Sequence, residues 1–196
     1  AAPARAPRRM LYSGRMAPEQ FAKPQRVFFA LWPDATLRAP LADLALEVAR
    51  ESGGRPTAWN LLHLTLAFLG DQPAAGVETL RGVGARIRAR AFALTFDTLG
   101  GFRRAGIAWL GVDAPQPELE ALQGELAAAL RACGFVLDAR PYAPHLTLAR
   151  DCAVMPHRRL PQPLCWRVSS FVLVESAPGR GGPEYRTLAD WPLAAA

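Results

Sequence analysis

The sequence predicts an α+β protein of two similar lobes related by a pseudo-twofold axis, with antiparallel sheets lining a central cleft and helices outside. Three observations predict this. The tetrapeptide His-Leu-Thr-Leu occurs twice, at 63–66 in "NLLHLTLAFLG" and at 145–148 in "YAPHLTLAR", in a chain that has only three histidines. Around each copy the order strand, helix, strand recurs. Phe28, in the leading strand of the first unit, precedes His63 by 35 residues, and Ile107 precedes His145 by 38. The same order at nearly the same spacing marks an internal duplication.

The elements follow from the residues in turn. "RVFFALWP" is a short apolar β-type run closed by proline. Asp34 is placed to cap "ATLRAPLADLALEVARES", whose apolar residues recur at helical spacing until Gly53-Gly54 stops them. "LLHLTLAFLG" is a strand, and "AGVETLRGVGARIRAR" a helical stretch weakened by Gly82 and Gly84. "AFALTFDTLGGF" alternates as a strand and ends in a glycine turn. The second unit begins with the strand "GIAWLGVD" and continues with the amphipathic helix "APQPELEALQGELAAALRACG", with proline near its start and glycine at its end. "PHLTLAR" is its motif strand. "DCAVMPHRRLPQPL" reads as an irregular, proline-rich loop holding His157 in solvent, and "WRVSSFVLVES" and "PEYRTLADWPL" as two closing strands. Residues 1–24 lack periodicity and are expected to be a flexible tail, or an over-extended start with Met10 or Met16 as the true beginning. One domain over 25–193, made of two repeats, is the expected organisation.

Composition narrows the class. With 196 residues, 51% of them hydrophobic, the chain can bury a sizeable core. No apolar run approaches the ~20 residues of a membrane span, and the N-terminal stretch lacks the apolar centre of a secretory signal. A cytoplasmic protein is expected, with no membrane association and as a monomer. Net charge is +6, nearly all of it arginine. That skew reflects either genomic base composition or a polyanionic partner such as RNA. Cys133, Cys152 and Cys165 have no metal-site spacing and are expected to be buried free thiols.

The repeated tetrapeptide carries the chemistry. In a strand, alternate side chains share a face, so Leu64 and Leu66 point to the core while His63 and Thr65 stand together opposite. The same holds for Leu146 and Leu148 against His145 and Thr147. Two lobes meeting about a twofold would bring two imidazoles and two hydroxyls to one cleft. A pair of histidines can act in opposite protonation states, one as general acid and one as general base. In-line displacement at phosphorus needs such a pair, and threonines can hydrogen-bond the non-bridging oxygens. A zinc site would need further ligands, and no HxH, HExxH or acidic cluster supplies them. Chance recurrence is weak, since a given histidine is followed by Leu-Thr-Leu less than about once in a thousand.

With these paired motifs the sequence resembles the two-histidine phosphoesterases, and in particular the bacterial and archaeal family of RNA 2′,3′-cyclic phosphodiesterases, also called 2′-5′ RNA ligases. "RVFFALWP", "LHLTLAFLG", "AWLGV", "PHLTLAR" and "FVLVES…YRTLADWPL" occur in that family's order, covering about residues 25–193. The resemblance implies hydrolysis of an RNA-terminal 2′,3′-cyclic phosphate to a 2′-phosphate without a cofactor or metal. It implies His63 as proton donor, His145 as proton acceptor, Thr65 and Thr147 on the phosphate, and Arg150 and Phe68 as substrate-binding residues. The motifs themselves are symmetric and do not say which histidine gives the proton. Three alternatives stay open: a 2′-5′ RNA ligase, a phosphodiesterase of 2′-5′ oligonucleotides or small cyclic nucleotides, and an RNA-end-binding module with little turnover. Arg103 and Arg104 would contact an RNA backbone or be a solvated pair.

Overall fold

The computed structural model describes residues 23–195; all but Lys23 and Pro24 of the expected tail therefore lie outside the described residues. Strand β1 (Gln25–Leu31) leads to helix α1 (Ala35–Ser52), then the two-residue β2 (Arg55–Pro56), β3 (Leu64–Gln72) and α2 (Ala74–Gly84). Next come β4 (Phe92–Phe102), β5 (Ile107–Gly111), α3 (Pro117–Ala132), β6 (His145–Arg150), β7 (Arg158–Val168), β8 (Ser170–Gly179) and β9 (Gly182–Pro192). Asp34 caps α1 as its position predicts: its Oδ1 accepts from the Thr36 and Leu37 amides at 2.9 and 3.0 Å. Gly53 ends the helix at φ 65°, a left-handed conformation that favours glycine. No helix among the described residues is long and apolar enough to cross a membrane.

Eight strands run in the order β7-β4-β5-β6-β3-β1-β8-β9, and β2 pairs with the end of β6. The path is symmetric about its middle. Motif strands β6 and β3 meet at the centre, flanked by β5 and β1, then by β4 and β8, then by β7 and β9. Across the seam a single pair, Leu64 with Leu146, is in register. Each motif strand also carries the same β-bulge. Ala67 pairs with Phe29 and Thr65 with Ala30, skipping Leu66; Ala149 pairs with Ala108 and Thr147 with Trp109, skipping Leu148. The last residue of each tetrapeptide is thus the extra one, and the strand's facing shifts by one beyond it.

The helices cross between repeats. α1, from the first repeat, packs over β6 and β5 of the second, and α3 reaches β3 of the first as well as β4. One apolar cluster consequently runs through both lobes, with Leu64, Leu66, Leu146 and Leu148 all in it. A smaller cluster of Phe28, Ala30, Val172 and Val174, with Trp32 and Tyr185, lies on the opposite face of the first lobe's sheet.

Four expectations are corrected. The proline-rich stretch after Cys152 is not all loop, because Arg158–Leu164 belongs to β7. β7 is an edge strand, and Pro161 and Pro163 fall where its register against β4 slips, between Leu164 and Arg159, so no ladder bond is lost to them. "WRVSSFVLVES" is two strands broken at Ser169. α2 stops at Gly84 rather than running on to Arg90; that glycine lies against the Trp191 ring, where a Cβ would collide. Finally, all three cysteines are free, but Cys133 and Cys165 are exposed and Cys152 alone is buried.

Candidate active site

Thr65 and Thr147 lie half-buried between fully buried leucines, with His145 opening β6 and His63 immediately preceding β3. Counting outward from the Leu64–Leu146 pair in antiparallel register sets His63 opposite Thr147 and Thr65 opposite His145. Beyond the bulges, Phe68 and Arg150 occupy the same place in the two repeats, five residues after each histidine. Phe68 is 49% exposed and pairs with Phe28, so it shares the cleft face with the histidines. Arg150 is exposed, and its charge is felt by His63, His145 and Tyr185.

Both imidazoles are oriented by one device. His63 Nδ1 lies 2.6 Å from the Leu61 carbonyl and His145 Nδ1 2.7 Å from the Ala143 carbonyl, in each case two residues upstream. A carbonyl can only accept, so Nδ1 carries the proton in both rings and Nε2 is left to exchange one. His63 Nε2 is 3.1 Å from Thr65 Oγ1, which donates to it when the ring is neutral. The Tyr142 hydroxyl donates to the Thr65 carbonyl at 3.1 Å, tying the approach to β6 onto β3; burial pushes its pKa up, so it stays a donor.

The surroundings break the symmetry of the motifs. His63 is packed by Phe28, Tyr185 and Trp32, with ring centroids at 4.9, 5.3 and 6.1 Å. His145 meets one ring, the edge of Phe102 at 4.9 Å, and Phe102 in turn rests on Trp109. The Trp109 indole lies over Gly100 and Gly111, where any Cβ would overlap it. Burial pushes His63 down to about 4, with Arg150 and His145 acting in the same direction. Burial and then Arg150 lower His145 from its ordinary 6.5, against the opposing hydrogen bond to Ala143.

Of the six residues expected from the sequence, register sets His63, Thr65, His145 and Thr147 beside one another. Phe68 and Arg150 lie further along the two strands, with the Arg26 guanidinium 4.8 Å over the Phe68 ring. Phe28, Trp32, Tyr185, Phe102 and Trp109 were not among the six. Period-2 alternation puts Phe28 and Phe29 on opposite faces and so held a signal for Phe28; Tyr185 and Phe102 pair with hairpin neighbours and reach the histidines only through the order of strands in the sheet. His157 is exposed. Among the described residues no three His, Cys, Asp or Glu side chains gather as a metal site would require.

A bilobal α+β fold with one His-x-Thr strand from each lobe at a shared cleft defines the two-histidine phosphoesterase class. The chain belongs to the 2′-5′ RNA ligase superfamily, whose model matches residues 33–180. It is 34% identical over 175 residues to the Escherichia coli (strain K12) protein named RNA 2′,3′-cyclic phosphodiesterase, covering 88% of this chain and 98% of that one. A Thermus thermophilus protein of the same name is 31% identical over 183 residues, covering 86% and 90%. Among solved structures, E. coli LigT complexed with 3′-AMP superposes with a TM-score of 0.80 at 34% identity, covering 87% of this chain and 98% of that one. LigT complexed with phosphate gives 0.74 at 32%, covering 88% and 99%.

Proposed function

We propose that this chain is an RNA 2′,3′-cyclic phosphodiesterase that opens the terminal cyclic phosphate to a 2′-phosphate by two-histidine acid–base catalysis. The observation that carries the reading is the pair of imidazoles, each locked through Nδ1 to a carbonyl and each with Nε2 available, on matching strands of one cleft. Kinship with proteins named for this activity over nearly their whole length supports it. His145 Nε2 takes a proton from water as its oxygen attacks phosphorus. The P–O3′ bond opposite breaks, and His63 Nε2–H protonates the departing O3′. Thr65 and Thr147 hydroxyls hold the non-bridging oxygens, Arg150 offsets their charge, and Phe68 offers a face to the base. Both histidines lie in one chain, so a monomer over residues 25–193 suffices.

The reaction needs one imidazole charged and the other neutral. Burial lowers both imidazoles, His63 to about 4, and so works against the charged form that the donor role of His63 requires. A phosphodiester anion between the rings counters Arg150 and favours the charged form of the imidazole beside it. Since kcat/KM reports the free enzyme, and both pKa values lie below 6.5, its optimum is expected below pH 6.5, with activity falling through neutrality. Arg150→Gln removes a charge that lowers both histidines and should move the alkaline limb to higher pH. An optimum above pH 7.5 in the wild type contradicts this electrostatic picture.

The function is tested by incubating purified protein with an oligoribonucleotide ending in a 2′,3′-cyclic phosphate, in EDTA, and resolving the product isomers. Complete conversion to the 2′-phosphate is expected, because the imidazoles supply both proton transfers. A 3′-phosphate product, or tight binding without turnover, overturns the reading.

A further inference from the structure

We propose that Arg55, Arg103 and Arg104 extend the cleft from Arg150 as a track for the phosphates of a single RNA strand, so that the preferred substrate is a polynucleotide end rather than a mononucleotide; this rests on the activity proposed above. The four arginines converge on one end of the second lobe's sheet. Arg55, in β2, is the register partner of Arg150 at the end of β6. Arg103 and Arg104 form the tight turn between β4 and β5. That turn is tied to the chain just after Arg150 by the Cys152 amide, which donates to the Gly106 carbonyl at 2.9 Å. Phe102, directly before the two arginines, is 38% exposed and packs on His145, so the turn leaves from the catalytic cleft itself.

Charge at this end is left uncompensated. Arg158 is held by Glu47 and Glu51, and Arg159 by Asp97 and Asp113. Among the four arginines at the cleft mouth, Arg55 alone is ion-paired in the described residues, with Asp151. Asp151 binds Arg55 through Nε at 2.7 Å and, with its backbone at φ 56°, turns away from the strand direction just past Arg150. Arg150, Arg103 and Arg104 keep no ion-pair partner among the described residues, and all three are exposed. An exposed aromatic edge beside guanidinium groups fits single-stranded nucleic acid, whose bases stack while its backbone follows the positive charge. A mononucleotide cyclic phosphate presents nothing to the outer arginines.

The test compares 2′,3′-cyclic AMP with a tetranucleotide carrying the same cyclic end, across a salt series, for the wild type and an Arg103→Gln/Arg104→Gln variant. The wild type is expected to favour the tetranucleotide, with kcat/KM falling steeply as salt rises. In the double variant the slope of log kcat/KM against log salt should be shallower by about 1.4, at ~0.7 per lost contact to a single strand. Turnover of cyclic AMP should be unchanged, and Arg159→Gln should leave both substrates unaffected. Equal losses on both substrates, or a wild type indifferent to chain length, overturns the track. If no cyclic phosphate is opened at all, the activity fails, and fluorescence anisotropy with the same tetranucleotide still decides the track: equal salt slopes for the two proteins refute it.

Discussion

Replacing His145 by alanine is expected to lower kcat about 10²- to 10⁴-fold, and His63→Ala to do the same, since each removes one proton transfer in the transition state. The remaining pH dependence should distinguish the two. His145→Ala keeps only the donor, so its residual activity should fall as pH rises through the His63 titration. His63→Ala keeps only the acceptor, and its residual activity should rise with pH. The opposite pattern would exchange the roles, while an unchanged bell in either variant would remove that histidine from the chemistry. These variants should fold, because both rings are half-buried at the cleft and their neighbours Leu64 and Leu146 keep the strands in place.

Leu146→Ala should have the largest effect on stability, a loss of about 2–5 kcal/mol by removal of a fully buried leucine. Set against a typical 5–15 kcal/mol, that is a large share. The site is the one register pair joining the two half-sheets, so the cavity opens at the seam on which the histidines depend. Because α1 crosses onto β6 and one apolar cluster spans both lobes, the halves should unfold together. Urea denaturation is expected to show a lower midpoint with the slope unchanged. Two separated transitions would show instead that the lobes are independent units.

Much of this was legible because the chain states its main theme twice. A histidine on one strand is weak evidence; the same strand repeated after the same helix made legible the inward leucines and the outward His and Thr, while the pairing of β3 with β6 that joins the two halves into one sheet came only from the structure. Asp34 and Gly53 marked the ends of α1 by local chemistry, which needs no tertiary context. The failures have a common physical origin in long-range pairing. Pro161 and Pro163 looked incompatible with a strand, yet an edge position and a register slip make them harmless, and neither is written locally. The crossing of α1 onto the second lobe is likewise invisible to periodicity, which reports that a helix has an apolar face but not what it covers. For the same reason the motifs look equivalent in sequence while the folded protein gives His63 three aromatic neighbours and His145 one.

In the proposed reaction the two Nε2 atoms act on one phosphate. The most direct measurement is a crystal structure of the protein with a nucleoside 2′-phosphate product. Both Nε2 atoms are predicted to lie about 2.6–3.2 Å from the reacting oxygens, one on each side of the phosphorus, with the Thr65 and Thr147 hydroxyls on the non-bridging oxygens. A phosphate bound by only one histidine, or held outside the cleft with the imidazoles turned from each other, would contradict it.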